Sequence, residues 1–439
     1  MKKRALSLIF ASITAAACIV SGCGGGSGSS IIIPGGEQTQ TASLTVYGHR
    51  GDRYSLSIIE DTLQSYMREN SQINVSYESA KETDYWQSLD RRWASGKLDD
   101  VFMIDRARLI EMSAEGALAD LSDAVDKSIF NSFARSQIGD GAIYAVPTCI
   151  TTYGLYANFT LLQKHGINEV PSNLNQFTTV CNYFKDQGVT PIICNNYSSL
   201  RSLILARGMY GVYGTENTES QISKFNADPS ALAKQLESGI DLVYEMIESG
   251  WIDIKAASST THLSGDLNQF ADGEAPFMIT GGWASTTLKE MISAKGKSFR
   301  YSIHAFPVLY SPEDERPACV LVEQTDFISV KKGANEGLAK ELISMLAGTE
   351  ALLKLNAGQS CFSPLNMPMN EKNQPDSAIM SSAKYHLQEG KYVIGSDMNL
   401  KFDLDGILTE CGVKILNGES AENVKAYLLL ELLKSEAGR

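Results

Sequence analysis

Short apolar runs alternate with amphipathic stretches along the first part of the chain. Residues 44–47 form a β-type run, and residues 54–69 repeat their apolar positions at helical spacing. Residues 73–77 alternate apolar and polar side chains as a strand does, and a helical stretch at 85–95 precedes the apolar run 101–104. The order strand, helix, strand, helix, strand predicts a parallel α/β sheet, in which ligands bind beyond the carboxyl ends of the strands.

The same alternation returns in the second half of the chain. Helical patterns over 159–165 and 174–185 each end at a glycine, a residue that often follows a helix C-terminus. A long amphipathic pattern over 229–249 and a short buried run at 275–279 come next. Further helices are predicted near residues 336–346, 351–357, 376–388, 404–416 and 421–435. About 400 residues are more than a single hydrophobic core usually accommodates, so we expect two domains.

The N-terminus has the pattern of an export signal. Basic residues precede an unbroken run of apolar and small residues over 5–20, which is short for a membrane span. Small residues stand directly before Cys23, as they do where bacterial lipoproteins are cleaved and acylated. We therefore expect a signal peptide over 1–22, a lipidated Cys23 with a Gly/Ser-rich tether over 23–41, and a location on the extracellular face of the bacterial cytoplasmic membrane. A plain cleavage site with an incidental cysteine is the alternative.

Charge and cysteine spacing exclude several kinds of partner. The 439 residues carry a formal net charge of −13, whereas nucleic-acid binding needs a basic surface. The eight cysteines are scattered without a C-x-x-C pair, so we expect no zinc site, no other metal site and no redox motif. Most of them are expected to be buried as small apolar residues. A bridge between Cys181 and Cys194 stays open.

Enzyme signatures are absent from the sequence. It has no G-x-S-x-G, H-E-x-x-H, P-loop or G-x-G-x-x-G motif, and its five histidines stand far apart. We expect no catalytic residue and no cofactor. The alternative is a surface glycosidase that uses two carboxylates from among Asp52, Asp105 and Glu323. Carboxylates that follow strands also suit a binding cleft, because they accept hydrogen bonds from sugar hydroxyls.

Trp283 is the most informative aromatic residue. It follows two glycines at the end of a predicted buried strand, where backbone or ligand can approach closely. The apolar face of a pyranose ring stacks on such an indole. Packing in the core is the alternative role.

At this point several separated segments resemble those of one protein family. The chain resembles the family 1 extracellular solute-binding proteins, the group that includes maltose-binding protein. The most specific likeness lies at residues 143–147, 154–158, 161–167, 170–171, 175–177 and 188–192. Supporting segments are 99–102, 116–121, 270–278, 281–283, 327–330, 339–342 and 358–364. Their order and spacing are kept along the whole mature chain.

The resemblance implies a two-domain α/β fold, periplasmic-binding-protein-like and of type II, with the ligand cleft between the domains. Each domain is built from separated parts of the chain. The lobes that it implies are an N-terminal one at 42–149 plus 322–364 and a C-terminal one at 153–316 plus 369–439. The hinge crossings that it implies lie near 148–152, 320–327 and 364–368.

The resemblance also implies a function. Such a protein captures a small solute by closing its two lobes, and presents it to the membrane subunits of an ABC importer. We expect a monomer whose solute is a sugar or oligosaccharide, because the predicted cleft residues are mixed in sign and suit a neutral polyol. Polyamines, phosphorylated compounds and metal ions, which related proteins bind, stay open as ligands.

The expected site residues come from the resemblance and from the polar clusters that directly follow predicted strands. Asp105 and Arg106 match the Asp-Arg pair that hydrogen-bonds sugar hydroxyls in maltose-binding protein, and Trp283 matches one of its stacking tryptophans. Thr151 falls where that protein has a ligand-binding carboxylate. The full set of expected ligand-binding residues is Tyr47, His49, Arg50, Asp52, Asp105, Arg106, Thr151, Tyr153, Trp283 and Glu323.

Overall fold

A computed structural model describes most of the chain beyond its N-terminus. The residues that it describes are 31–33, 42–51, 53–138, 141–194, 196–257, 263–310, 318–348, 350, 352–353, 356, 360–367 and 376–437. The predicted signal peptide, Cys23 and Asp52 lie outside these ranges, as does the predicted tether apart from residues 31–33.

The first part of the chain alternates strands and helices as the hydrophobic pattern predicts. Its elements are β1 (Ile31–Ile33), β2 (Ala42–Gly48), α1 (Arg53–Glu69), β3 (Ile73–Ser79), α2 (Glu82–Ala94), β4 (Val101–Ile104), α3 (Arg106–Ala114), a 3₁₀ turn (Lys127–Ile129), α4 (Ser132–Ile138), β5 (Val146–Asn158), α5 (Phe159–Lys164), α6 (Leu174–Asp186) and β6 (Ile192–Ile193).

The second part is richer in helices. Its elements are α7 (Tyr197–Gly208), α8 (Thr218–Ala227), α9 (Pro229–Glu248), α10 (Ile254–Ala257), α11 (Leu263–Phe270), β7 (Phe277–Gly281), α12 (Ala284–Ala294), β8 (Tyr301–His304), β9 (Phe306–Pro307), β10 (Ala318–Val330), α13 (Glu336–Leu346), α14 (Ser377–Gln388), β11 (Tyr392–Ile394), α15 (Leu404–Leu416) and α16 (Ala421–Ala437). No helix within the described ranges is long and apolar enough to cross a bilayer.

The strands form one hydrogen-bonded sheet in the order β1-β3-β2-β4-β10-β5-β7-β6, with β9 and β11 attached to β10 and β8 attached to β5. β2 pairs in parallel with β3 and with β4, so the predicted parallel sheet is confirmed for these strands. β10 pairs antiparallel with β4 on one side and β5 on the other. The two 13-residue strands β5 and β10 therefore join one part of the sheet to the other.

Buried apolar residues separate into clusters that divide along β5 and β10. One large cluster, which we call the C-terminal core, includes Leu155 on β5 and Val322 on β10. Two smaller clusters, together called the N-terminal core, include Val146 on β5 and Phe327 on β10. Each long strand thus contributes apolar side chains to both cores.

Helix α7 lies deep in the C-terminal core because two glycines let other helices approach its backbone. A Cβ added to Gly239 of α9 would lie 2.7 Å from Ile204 Cα, and one added to Gly412 of α15 would lie 2.9 Å from the Tyr197 carbonyl oxygen. Real Cβ contacts are not this short, so larger residues at these positions would push the helices apart. The packing buries Arg201, which is 4% exposed, within α7.

Strand β1 lies within residues 23–41, which are expected to form a flexible tether. Its three isoleucines pair antiparallel with β3, with Ile31 opposite Ser79. Isoleucine favours extended backbone, and the outer edge of β3 offers hydrogen-bonding groups that a short strand can satisfy. Residues 31–33 are therefore part of the sheet, which differs from the expectation for this segment.

The six cysteines from Cys149 onward are buried as free thiols, as the sequence predicts. Cys181 and Cys194 are not bonded to each other. Burial raises the pKa of both thiols well above the ordinary value.

Candidate functional site

Most of the predicted ligand-binding residues lie along the line where the two cores meet. His49 and Arg50 follow β2, and Asp105 and Arg106 follow β4, at the carboxyl ends of parallel strands. The pairing of β5 with β10 puts Thr151 opposite Glu323. We call residues 148–153 of β5 and 321–327 of β10, where each strand passes from one core to the other, the seam.

A buried carboxylate organises one end of the seam. Asp326 is 5% exposed, and its Oδ1 lies 3.2 Å from His49 Nε2. Arg50 forms an ion pair with the same carboxylate, and the Cys149 thiol donates to Oδ2 over 3.7 Å. Because a buried carboxylate is costly without donors, these contacts hold both predicted ligand residues against β10.

An irregularity in the β5–β10 pairing directs Asp326 toward its partners. The register shifts between Glu323 and Asp326 and again between Asp326 and Phe327. The Thr148 hydroxyl donates to the Asp326 carbonyl oxygen over 2.9 Å. Bulges of this kind bend a strand and re-aim one side chain. Here the bulge turns a carboxylate toward the loop that follows β2.

A second buried ion pair occupies the other end of the seam. Arg201 NH2 lies 2.8 Å from Glu323 Oε1, and Arg201 also pairs with Asp405. The guanidinium carbon lies 5.6 Å from the centre of the Tyr153 ring. Burial alone would lower the pKa of Arg201, but the charges of Glu323 and Tyr153 and the hydrogen bonds to both side chains together outweigh it, and the pKa is raised. Arg201 therefore stays charged and fixes Glu323 and Tyr153 within the protein.

Gly395 is required beside this ion pair. A Cβ at that position would overlap the Glu323 carboxylate, and the Gly395 amide donates to the Val322 carbonyl over 2.9 Å. The backbone after β11 therefore covers Glu323, which is 2% exposed. Glu323 reaches Arg201 rather than solvent in this conformation.

Arg106 links the two cores directly. Its NH2 group donates to the Leu400 carbonyl over 2.7 Å, although Arg106 begins α3 and Leu400 belongs to the C-terminal core. Gln137 of α4 reaches the same segment, since its Oε1 accepts from the Met398 amide over 2.9 Å. Residues 397–400, which we call the bridging segment, therefore connect the C-terminal core to α3 and α4.

Asp397 fixes the bridging segment from within the C-terminal half. The Tyr213 hydroxyl donates to its Oδ2 over 3.1 Å, and Gln137 Nε2 donates to Oδ1 over 3.3 Å. Burial first, and then the nearby Asp397 charge, raise the pKa of Tyr213 well above its usual value. The hydroxyl therefore remains protonated and available as a donor.

Asp105 caps α3 and keeps part of its carboxylate in solvent. Its Oδ1 accepts from the Arg108 amide over 2.9 Å, the contact that an N-cap aspartate makes. Arg108 also forms ion pairs with Asp105 and with Asp90. The Asp105 side chain is 27% exposed. It can therefore accept hydrogen bonds from a bound hydroxyl without leaving the helix.

Tyr47 and Thr151 are core residues in this conformation. Tyr47 is 1% exposed, stacks on Tyr85 with ring centres 4.7 Å apart, and lies 3.7 Å below the Arg92 guanidinium. Thr151 is also 1% exposed, and its hydroxyl lies 3.4 Å from the Cys361 sulfur. The expectation that these two side chains face a ligand is not met here, because neighbouring side chains enclose both.

Trp283 lies at the start of α12, directly after β7, and is partly exposed. Its indole ring rests against Gly281, where any Cβ would overlap the ring. The Gly282 amide donates to the Thr152 carbonyl over 2.7 Å, which ties this turn to the seam. Of the predicted aromatic contacts, Trp283 is the one that keeps an accessible surface.

Two residues that hold the seam were not among the predicted ones. Asp326 lies on β10 directly after the polar run 323–325, and Arg201 lies on α7 among serines. Both are buried, but their local sequence does not distinguish them from exposed charges, and their partners lie far away along the chain. The sequence alone therefore gives no signal for either ion pair.

One groove of the described structure lies away from the seam. A groove of about 680 Å³ on the C-terminal half is lined by residues of α12, of β8 and of the loop between them, including Lys289, Lys297, Phe299 and Arg300. Within the described ranges, no group of three or more His, Cys, Asp or Glu side chains is arranged to hold a metal ion.

Replacing Asp326 tests the buried pairing. We expect Asp326→Asn to lower the free energy of unfolding by about 2–4 kcal/mol. The Arg50 guanidinium loses its counterion, and the donors on His49 and Cys149 lose a charged acceptor. Denaturant unfolding measures it. The control is Asp123→Asn, whose side chain is 72% exposed beside Lys340 and should change stability by less than about 0.5 kcal/mol. Equal stability of the two variants would contradict a structural role for Asp326.

Solved structures resemble this fold over nearly its whole length. A chitin oligosaccharide binding protein has a TM-score of 0.73 at 17% identity, and the match covers 90% of this chain and 99% of the other. The solute-binding protein RafE in complex with raffinose has a TM-score of 0.67 at 15% identity, covering 90% and 99%. A sugar transporter from Bacillus licheniformis in complex with stachyose has a TM-score of 0.64 at 17% identity, covering 89% and 98%.

Sequence comparison reaches the same group. A binding protein of Brucella abortus (strain 2308) is 23% identical over 259 residues, which are 56% of this chain and 59% of the relative. A counterpart in Brucella suis biovar 1 (strain 1330) matches equally, so the chain spans about 59% of the length of these curated relatives. The sequence profile of the bacterial extracellular solute-binding proteins matches residues 61–377, more than half of the chain. The resemblance seen in the sequence is thus confirmed: the chain belongs to the bacterial extracellular solute-binding proteins, a family of binding proteins and not of enzymes.

Proposed function

We propose that this protein captures a neutral carbohydrate, a sugar or short oligosaccharide, outside the cell and delivers it to an ABC importer. The observation that carries the proposal is the fold. It is shared over about nine tenths of the chain with a chitin oligosaccharide binding protein and with binding proteins in complex with raffinose and with stachyose. Those ligands belong to those proteins, and we infer a carbohydrate ligand for this chain from the shared fold.

The accessible residues of the chain support a neutral ligand. The Arg50 side chain is 23% exposed and offers donors, whereas the Asp105 side chain is 27% exposed and offers acceptors. A polyol needs both, because each hydroxyl donates and accepts. The partly exposed indole of Trp283 adds the flat apolar surface on which a pyranose stacks. A binding site for a cation or an anion would instead be lined mainly by side chains of the opposite charge.

The two cores support capture by closure. They correspond to lobes that would rotate about β5, β10 and the segment near Phe362, which pairs with Ile150 of β5. Each lobe would keep its own core while a few backbone dihedrals absorb the motion. The bond from Arg106 to the Leu400 carbonyl crosses between the lobes and would break on opening. A ligand that contacts both lobes favours the closed form by its differential affinity.

The N-terminal sequence supports attachment to the membrane. We infer that residues 1–22 are removed, that Cys23 is acylated, and that the following residues hold the binding body near the importer subunits, which recognise its closed form. The N-terminal attachment point leaves the closing lobes free to move. The proposed working unit is a monomer.

A ligand screen tests the substrate class. Neutral oligosaccharides such as raffinose, stachyose and chitin oligosaccharides should raise the melting temperature, and a ligand at one hundred times its Kd adds about 2.7 kcal/mol of stability. Spermidine and a sugar phosphate are the charged comparators. A shift with a charged compound and none with any carbohydrate would refute the substrate class. Small-angle scattering should show a smaller radius of gyration with ligand, and an unchanged radius would refute closure.

Truncating Trp283 tests the stacking contact. Trp283→Ala should weaken affinity for the carbohydrate found in the screen by about 2–4 kcal/mol, roughly 30- to 1,000-fold. Titration calorimetry and melting temperature on the same variant separate binding from folding. The matched control is Trp93→Ala, another partly exposed tryptophan, which packs in the N-terminal core and should leave affinity unchanged. Loss of stability without loss of affinity in Trp283→Ala would assign that ring to the core.

Replacing Cys23 tests the anchor. Cys23→Ala should release the protein into the medium or leave it unprocessed, because the acylated side chain is missing. Metabolic labelling with a fatty acid should mark the wild-type chain and not the variant. Cys411→Ala, which replaces a buried cysteine, is the control and should be labelled like the wild type. Equal labelling of the wild type and Cys23→Ala would rule out acylation at Cys23.

A further inference from the structure

Strand β1 brings the N-terminal part of the chain to one particular end of the sheet. β2 and β3 are parallel, and Gly48 at the end of β2 is opposite Ser79 at the end of β3. β1 runs antiparallel to β3, with Ile31 opposite Ser79. The chain therefore enters β1 at the carboxyl ends of the two parallel strands.

The same end of the sheet carries two of the candidate ligand residues. His49 and Arg50 directly follow Gly48. β1, β3 and β2 are successive neighbours in the sheet, so Ile31 lies about 10 Å across the sheet from Gly48. The Tyr77 hydroxyl on β3 donates to the Arg50 carbonyl over 3.1 Å. β1 therefore pairs with the strand that holds the loop of His49 and Arg50.

The chain would leave the folded body at the opposite end if β1 did not pair. β2 begins at Ala42, whose amide donates to the Gln72 carbonyl over 3.2 Å beside the amino end of β3. β2 and β3 are each 7 residues long, which makes the two ends of the sheet about 20 Å apart. The pairing of three residues therefore decides from which end of the sheet the N-terminal segment departs.

The local sequence favours this short strand. Residues 24–30 are all Gly or Ser, and Pro34 directly follows the three isoleucines. β-branched residues favour extended backbone, whereas proline cannot donate to a strand ladder. β1 also pairs with the outer edge of β3, which would otherwise be the open edge of the sheet. A tether that only had to be flexible would not need these isoleucines.

We propose that β1 moves the membrane attachment point of the protein to the carboxyl ends of β2 and β3, beside His49 and Arg50. The inference rests on the proposed acylation of Cys23. Ile31 is the eighth residue after Cys23, so their Cα atoms can be at most about 27 Å apart. Ala42 is the nineteenth residue after Cys23, which would allow about 65 Å. The paired strand therefore shortens the tether and keeps the candidate ligand residues on the membrane side of the N-terminal core.

This attachment suits a partner that lies in the same membrane. A shorter link raises the effective concentration of the attached surface for such a partner. The proposed partner is the set of importer subunits, and the end of the sheet that carries His49 and Arg50 would meet them without the body having to turn over.

Energy transfer to the membrane tests the attachment point. The full-length acylated protein is reconstituted into vesicles of phosphatidylcholine and phosphatidylglycerol that contain an acceptor-labelled lipid. A donor dye is attached to Lys81→Cys, beyond the carboxyl end of β3, or to Gln72→Cys, before its amino end, and both positions are exposed. The six cysteines from Cys149 onward are buried, so the dye reacts with the introduced thiol. We expect more transfer from position 81 than from position 72.

Replacing the isoleucines should reverse this order. The variant combines Ile31→Gly, Ile32→Ser and Ile33→Gly, which keep the tether length and remove the residues that favour a strand. The chain should then leave the body at Ala42, so that transfer from position 72 exceeds transfer from position 81.

The matched control changes three tether residues upstream of β1. Gly25→Ser, Gly26→Ser and Gly28→Ser together should leave the wild-type order of the two transfer efficiencies unchanged. Equal transfer from the two positions in the wild type overturns the proposal. An order that is the same in the wild type and in the isoleucine variant overturns it as well.

Hydrogen exchange separates a failure of the strand from a failure of the anchor. Amides of β3 should exchange faster in the isoleucine variant than in the wild type, whether or not the protein is acylated, because the outer edge of β3 loses its partner. Equal exchange in an acylated protein would refute the strand and leave the anchor standing. Absence of transfer from both positions, together with absence of fatty-acid label, would refute the anchor and the proposal that rests on it.

Discussion

The arrangement of the seam depends on one buried negative charge. Asp326 stands inside a long strand, where a carboxylate is tolerated if donors replace the water that it has lost. Those donors come from the loop after β2 and from β5, which are far apart in the sequence. Satisfying one side chain therefore fixes three parts of the chain against each other. Arg201 does the same for Glu323 and Asp405 at the other end of the seam.

Internal pairing of this kind also shapes what a ligand can meet. A flexible arginine loses side-chain entropy when a ligand orders it, whereas Arg50 is already fixed by Asp326 and still partly exposed. Asp105 is likewise held as a helix cap. Residues of this sort present hydrogen-bonding groups in set directions, and so favour one arrangement of hydroxyls over another.

Local patterns explain how much of the fold the sequence predicts. The alternation around β2, β3 and β4 depends on neighbouring residues, so periodicity alone predicts these strands and their parallel order. The pairing of His49 with Asp326 joins residues 277 positions apart, and no local pattern contains it. Tyr47 is among the expected ligand-binding residues, yet Tyr85 and Arg92 enclose it. The three isoleucines of β1 stand among glycines and serines, a composition that predicts a flexible tether rather than a strand.

The place of β10 in the sheet has a consequence for the order in which the chain can fold. β10 lies between β4 and β5, yet residues 159–317 separate it from β5 in the sequence. During synthesis from the N-terminus, β2, β3 and β4 can therefore pair early. The free edge of β4 stays unpaired until about half of the chain has been added and β10 is available. Until β10 arrives, that edge is open to proteases and to strands of other molecules. Because β10 contributes to both cores, the N-terminal part of the sheet is completed only after most of the C-terminal part has been synthesised.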